Sequence, residues 1–416
     1  MNEATRLFVE RHREEDVRRL ALQGGGDGVD LRVALQQIQG WQTARTKLPT
    51  WAAVAGVWYP PHLSMEQCSS ELTARYKAAL VSEVAKAMAP GVDGVAGVVD
   101  LTGGFGVDFF FMASAWATAA VSRSRTYFIY VERSEELCRL AAHNFELLNL
   151  RGEVKNADSI EFLKSLEHAS VLFLDPARRD GHGGKVVLLE DCTPDVVALC
   201  DELLAKTDCL MLKLSPMLDW HRAVEQLSRP GWGMTVHVVS VKNECKELLL
   251  VVRKGGSEMV SVVCANWTGN DWERLAYADD ENRPVTVWSP AADETVLKGC
   301  WLLEPNASVM KAGCFGVLCH RFGVSALGQN SHLFIADDRV EGFPGRQLRI
   351  EGVSGMNKRE LKGLLRGVER ANVCVRNFPL TAEALRRRLG VKDGGRDFLY
   401  GTTLGDGRHV VLRGTS

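Results

Sequence analysis

The segment Val98-Val99-Asp100-Leu101-Thr102-Gly103-Gly104-Phe105-Gly106-Val107-Asp108 constrains this chain more than any other. It reads as a buried strand ending in Asp100, then a glycine-rich turn, then a helix that runs into Phe109-Phe110-Phe111-Met112. Glycine permits the tight turn and lets bare backbone approach a ligand at the carboxyl end of a strand. The glycine spacing differs from G-x-G-x-x-G, and no G-x-x-x-x-G-K-[ST] occurs in the chain. Dinucleotide and nucleoside-triphosphate cradles are therefore disfavoured. What remains is a turn of the D-x-x-x-G-x-G type.

The pattern around this turn sets the fold class. Apolar strand runs are predicted at Val95–Leu101, Tyr127–Val131, Val154–Ala157, Val171–Leu174, Leu210–Leu214, Val236–Val241 and Leu248–Val252. Helical stretches at 108–119, 134–149, 159–167 and 193–206 separate the first five. Strands alternating with helices imply an α/β Rossmann-like parallel sheet covered on both faces. Only Lys242 to Glu247 separates the last two runs, too little for a helical crossover, so they should form an antiparallel hairpin. Residues 1–70 read as helical, with a break at Gly24-Gly25-Gly26-Asp27-Gly28. Ser69-Ser70-Glu71 caps a following helix, Leu72 to Met88, which carries Tyr76 and Lys77.

Beyond the linker Lys254-Gly255-Gly256-Ser257, residues 258–338 read as strands and loops with one helix near Ala307–Gly313. A last small α+β module opens at Gly342-Phe343-Pro344-Gly345. It is expected to hold helices Lys358–Ala371 and Thr381–Leu389 and strands Val373–Arg376, 397–403 and 408–413. The expected organisation is a helical region at 1–70, a sheet domain at 71–255, and two smaller α+β domains at 256–338 and 339–416.

Net charge is only −2, which does not advertise a polyanionic partner. The charge is uneven, however. Residues 339–416 hold 16 Lys and Arg against 8 Asp and Glu, the pattern of a basic binding module on a more acidic body, or else of a solvated helical face. The eleven cysteines include no C-x-x-C, and no His pair stands at metal-ligand spacing. Reduced thiols, no metal, no signal-peptide core and no membrane span together point to the cytoplasm. The oligomeric state is left open.

Acidic residues at successive strand ends agree with the turn. Glu132 follows Tyr130-Val131, about two dozen residues past the glycines, where a carboxylate accepts both hydroxyls of a ribose; the alternative is a surface acid before a helix. Asp158, in Asn156-Ala157-Asp158-Ser159, is placed to take an adenine amino group, and it is equally good helix-capping chemistry. Asp175 opens Asp175-Pro176-Ala177-Arg178-Arg179 at the fourth strand end, on the same carboxyl edge of the sheet as the glycine turn. Arg178 and Arg179 suit phosphate oxygens, or surface pairing with Asp180 or Glu190. Lys213 ends the fifth strand in Leu212-Lys213-Leu214-Ser215-Pro216.

The D-x-x-x-G-x-G turn is of the type that holds S-adenosylmethionine, and Asp100–Val252 resembles the class I methyltransferases that use it. Four passages carry a narrower likeness: Glu66 to Lys77, Asp175 to Arg179, Glu304 to Gly313, and Lys392 to Gly395. They resemble a bacterial family that couples such a domain to a ferredoxin-like domain and a THUMP-like C-terminal domain. The likeness implies S-adenosylmethionine held by Asp100, Thr102, Gly103, Gly104, Phe105, Gly106, Asp108, Glu132, Arg133, Asp158, Ser159 and Pro176. A THUMP-like end implies RNA, either rRNA or tRNA, as partner by analogy. A methyltransferase of small molecules or proteins, and a non-catalytic RNA-binding or ribosome-assembly protein, are the other readings.

The chemistry narrows further. RNA uridine-C5 methyltransferases share a similar Asp-Pro-Ala-Arg, but they attack with a cysteine where this chain has Leu214. Without that thiolate the covalent route is closed. The N6-adenine signature is imperfect, because Arg178 stands where an aromatic ring would stack the base. Ribose 2′-O-methyltransferases use Lys-Asp-Lys-Glu, matched here by Lys77, Asp175, Lys213 and Glu247. In that pattern a lysine takes the hydroxyl proton and the carboxylates orient it.

Overall fold

The structure is a computed structural model that describes residues 1–87, 96–119, 127–178, 188–288 and 294–415. It divides into two units, Met1–Met234 with Leu249–Glu258, and Thr235–Leu248 with Met259–Ser416.

The first unit begins with five short helices: α1 (Glu3–His12), α2 (Val17–Gln23), α3 (Leu31–Lys47), α4 (Pro49–Ala52) and α5 (His62–Gln67). Asn2, Asp16 and Asp30 cap the first three through their side-chain oxygens, which fixes where each begins. Gly24, Gly26 and Gly28 break α2 from α3 at φ of 81°, 76° and 76°, a backbone region that favours glycine. Helix α6 (Glu71–Ala87) follows, then the alternation β1 (Ala96–Asp100), α7 (Val107–Ala119), β2 (Tyr127–Glu132), α8 (Glu135–Leu147), β3 (Glu153–Asn156), α9 (Ser159–Ser165) and β4 (Ala169–Leu174). A short antiparallel pair, β5 (Ala177–Arg178) and β6 (Cys192–Thr193), precedes α10 (Cys200–Ala205), β7 (Thr207–Leu214) and α11 (Trp220–Leu227).

The sheet order β7-β4-β1-β2-β3 is parallel throughout. Val98, Val99, Val171, Leu172 and Leu174 are fully buried, as central strands covered on both faces should be. The N-terminal helices share this core. Trp51 packs edge-on against Phe105 and Phe110, and the Asn144 amide of α8 exchanges two hydrogen bonds with the backbone of Trp58.

Strands β8 (Trp232–Val241) and β9 (Glu244–Lys254) form the expected hairpin. It turns on Lys242 and Asn243, both at positive φ, the geometry of a two-residue hairpin loop. In the second unit β10 (Ser261–Trp267) pairs with β8 and with β11 (Trp272–Ala278). There follow β12 (Trp301–Pro305), α12 (Ala307–Ala312), α13 (Phe315–Phe322), β13 (Ser325–Ala326), β14 (Phe334–Ala336), β15 (Gly345–Ser354), α14 (Lys358–Leu364), β16 (Arg370–Arg376), α15 (Ala382–Leu389), β17 (Lys392–Asp393), β18 (Asp397–Thr403) and β19 (His409–Thr415). The β12–β19 strands make one sheet ordered β13-β14-β12-β15-β19-β18-β16-β17.

Several expected elements change. The helix expected over 193–206 shortens to Cys200–Ala205: Cys192 and Thr193 are paired in β6, and Asp195 Oδ1 closes a separate turn by accepting from Val197 and Ala198 N–H at 3.1 and 3.0 Å. The helix expected over Lys358–Ala371 stops at Leu364; Gly367 turns the chain at φ 79° and β16 starts at Arg370. Helices α11 and α13 and strand β15 are not among the elements predicted from the sequence. Among the described residues no helix is long and apolar enough to cross a membrane, and no His/Cys/Asp/Glu cluster could hold a metal ion.

Candidate active site

The glycine turn is tied at both ends to neighbouring strands. Leu101 N–H donates to Phe173 O at 3.0 Å and Gly103 N–H to Val131 O at 2.9 Å. Thr102 joins the first and fourth strand ends, since its N–H donates to Asp100 Oδ1 at 2.9 Å and its Oγ1 accepts from Asp175 N–H at 2.6 Å. The glycines divide their work. A Cβ on Gly103 would stand 2.2 Å from the Tyr130 ring, and one on Gly106 would stand 2.7 Å from Phe145, so both are required by packing beneath the turn. Gly104 sits at φ 55° and faces open space, with only Thr102 O within 4 Å of a built Cβ. It is the point where a ligand can reach bare backbone.

Glu132 stands beside that point. Its Oε2 accepts from Gly104 N–H at 3.0 Å and its Oε1 from Ser134 N–H at 2.8 Å. A carboxylate has about four lone-pair sites, so two ribose hydroxyls can still be accepted. Asp158 is exposed and caps α9, its Oδ1 accepting from Ile160 N–H at 2.9 Å and Glu161 N–H at 3.2 Å. Its second oxygen remains for an exocyclic amine, so the cap and the ligand reading coexist. Ser159 is the half-buried first residue of α9, and the exposed Arg133 gives its carbonyl to the Asn156 amide at 3.0 Å. The open glycine backbone and these acceptors fit S-adenosylmethionine: Gly104 would lie against it, Glu132 would hold its ribose and Asp158 its adenine. Phe105 is only 3% exposed and packs on Trp51, so its side chain supports the turn from behind.

The ionisable groups form a second, deeper cluster. Lys213 Nζ lies 2.6 Å from Asp175 Oδ2 and 3.7 Å from Asp108 Oδ2. Asp108 Oδ1 lies 3.2 Å from Lys77 Nζ, and Asp108 Oδ2 accepts from Ser69 Oγ at 2.7 Å. Lys77 is fully buried and also donates to Ser69 Oγ at 3.2 Å. Burial pushes the Asp108 carboxyl up, but Lys77, Lys213 and Ser69 outweigh it and hold it below the usual carboxylate range. Asp100 is the opposite case. Burial, joined by the carboxylates Asp108 and Asp175, drives it well above that range despite the Thr102 hydrogen bond.

A raised acid favours the folded state less as pH climbs from its unfolded value toward its folded one. Asp100→Asn removes that penalty and keeps an acceptor for Thr102. Thermal unfolding should therefore show the variant gaining on the wild type as pH goes from 5 to 8. A constant difference across that range would mean Asp100 does not titrate abnormally.

Among the catalytic candidates, Lys77, Asp175 and Lys213 come together, with Lys77 reaching the others through Asp108. Glu247 is buried on β9 in the second unit. Pro176 is half-buried directly after Asp175. Arg179 and the side chain of Arg178 lie outside the described residues, and Glu190 is bound by Arg222 at 3.0 Å. Sequence reasoning overlooked Ser69 and Cys68. Cys68 lies near the charges of Asp108 and Lys213, and burial pushes its thiol up to about 11. The signal was present in Cys68-Ser69-Ser70, but it reads equally as helix-capping chemistry.

Comparison with known proteins places this geometry. Residues 301–344 match the ferredoxin-like domain family and residues 345–415 the THUMP-like domain family. The chain is similar to a protein of Porphyromonas gingivalis W83 whose crystal structure carries a methyltransferase assignment. Identity is 29%, coverage is 99% of this chain and 97% of that one, and the TM-score is 0.81. A Bacillus cereus O-methyltransferase in complex with SAH is similar at 16% identity over 51% of this chain and 91% of that one, with TM-score 0.34. A Streptococcus thermophilus rRNA methylase is similar at 11% identity over 45% and 98%, with TM-score 0.32. No curated protein sequence matches. The fold is that of a class I methyltransferase, followed by ferredoxin-like and THUMP-like domains.

Proposed function

We propose that the protein transfers the methyl group of S-adenosylmethionine directly to RNA, either rRNA or tRNA, without a cysteine nucleophile. The observation that carries the transfer reading is the Lys213–Asp175 pair at 2.6 Å, set on the ends of β7 and β4 beside the glycine turn. Bound S-adenosylmethionine supplies a methyl group activated by its sulfonium. Direct transfer asks the protein mainly for positioning. Asp175, whose side chain is 39% exposed, accepts the hydrogen bond of the acceptor O–H or N–H and takes its proton as the new bond forms. Lys213 holds that carboxylate in place. The sequence allows either a lysine or Asp175 to take this proton; the placement of Lys213 Nζ 2.6 Å from Asp175 and 3.7 Å from Asp108 supports Asp175 as the acceptor and Lys213 as its partner. Buried Leu214 stands where a nucleophilic cysteine would be, and Cys68 is held as a thiol, which is the unreactive form.

The RNA reading is supported by the THUMP-like match and by basic side chains on it. Lys358, Arg359, Lys362, Arg366, Arg387 and Arg388 are all exposed. Phosphate contacts by such groups release counterions, so affinity for total RNA in filter binding should fall steeply and log-linearly with salt. Exchanging Arg387 and Arg388 for Gln should reduce the slope by roughly one per lost contact. Absence of RNA affinity at low salt would turn the proposal toward small-molecule or protein acceptors.

A further inference from the structure

We propose that Ser69, from the N-terminal helical region, and Asp108, at the head of α7, are positioning residues of the transfer site that hold Lys213 against Asp175. The inference rests on the role given above to the Lys213–Asp175 pair.

A lysine is a point charge on a flexible four-carbon stem, and a single carboxylate on a half-exposed loop does not fix it. Here two carboxylates from different elements triangulate its Nζ: Asp175 after β4 at 2.6 Å and Asp108 on α7 at 3.7 Å. Asp108 is itself buried, and a buried carboxylate persists as a charge only when paired and hydrogen-bonded. Lys77 and Ser69 meet that need, at 3.2 and 2.7 Å, and Ser69 also bonds Lys77. The chain Ser69/Lys77–Asp108–Lys213–Asp175 is therefore one connected unit. Lys77 acts through Asp108. Among the described residues the Asp108 charge also reaches the Cys68 thiol and the Asp100 carboxyl, and raises both. On this account the N-terminal region is a working part of the transfer site, because it delivers the hydroxyl that completes the Asp108 anchor.

The test reads Lys213 without any turnover. The full chain is acetylated with an N-hydroxysuccinimide acetate reagent at pH 8, and each lysine is quantified by mass spectrometry against Lys164, whose side chain is 58% exposed. An opposite charge within about 4–6 Å favours the ammonium by about one pKa unit or more, so Asp108→Asn should raise the Lys213-to-Lys164 ratio about tenfold. Ser69→Ala should raise it by a smaller factor, and Ser69→Thr should return it to the wild-type value. A merely structural role would lower the melting temperature while leaving the ratio unchanged, and that result overturns the proposal. Should Asp108→Asn fail to fold, the Ser69 pair decides alone. Failure of the catalytic reading is separate: it would appear as methyl transfer retained by Lys213→Ala, whatever the labelling shows.

Discussion

Lys213→Ala should lower methyl transfer to RNA by about 10²–10⁴-fold, the range typical of groups that act on proton transfer, while leaving the affinity for S-adenosylmethionine unchanged. The split follows from position. Lys213 ends β7 and bonds Asp175, whereas the turn and Glu132 lie along β1 and β2. Losing the ammonium leaves Asp175 without its anchor and Asp108 with one lysine instead of two. The cofactor acceptors are untouched. Transfer is measured with labelled S-adenosylmethionine and affinity by calorimetry. Turnover near the wild-type rate would remove Lys213 from the mechanism.

Glu132→Ala should act in the opposite way. The change deletes the acceptor proposed for the ribose, and it strips Gly104 and Ser134 N–H of their partners. Hydrogen bonds to a charged group contribute about 1.5–3 kcal/mol each, so losing this carboxylate should weaken cofactor binding by about 100-fold or more. Rates at saturating cofactor should recover much of the wild-type value. Unchanged affinity would mean that Glu132 only braces the turn.

The fold was legible where local and global preferences agree. The runs ending in Asp100, Glu132 and Leu174 are short, apolar and bounded by turn residues, and each became a central strand. Asp219 capping Trp220, with Ala223 and Leu227 on the buried face, marks α11 equally well in retrospect, but eight residues make a weak period. Strand β15 alternates buried Leu348 and Ile350 with exposed Arg349 and Glu351, a pattern masked by its opening glycine and arginine.

The site was legible strand end by strand end, because a parallel sheet brings its carboxyl ends together. The links between those ends were not. Nothing in the sequence says that Asp108 turns from the glycine turn toward Lys77 and Lys213, or that Ser69 reaches it from 39 residues away. Such partners depend on how α6 packs on α7, which is a tertiary fact. The contact of Phe105, adjacent to two turn glycines, with Trp51 of α4 is likewise a tertiary fact.

The central claim is tested most directly on RNA from cells lacking this protein. The purified full chain is incubated with that RNA and S-adenosylmethionine carrying a deuterated methyl group, and the nucleosides are analysed by mass spectrometry. The account predicts one deuteromethylated nucleoside, the same one missing from the deleted cells and present in the parent. Cofactor binding with no label entering any nucleoside would contradict it.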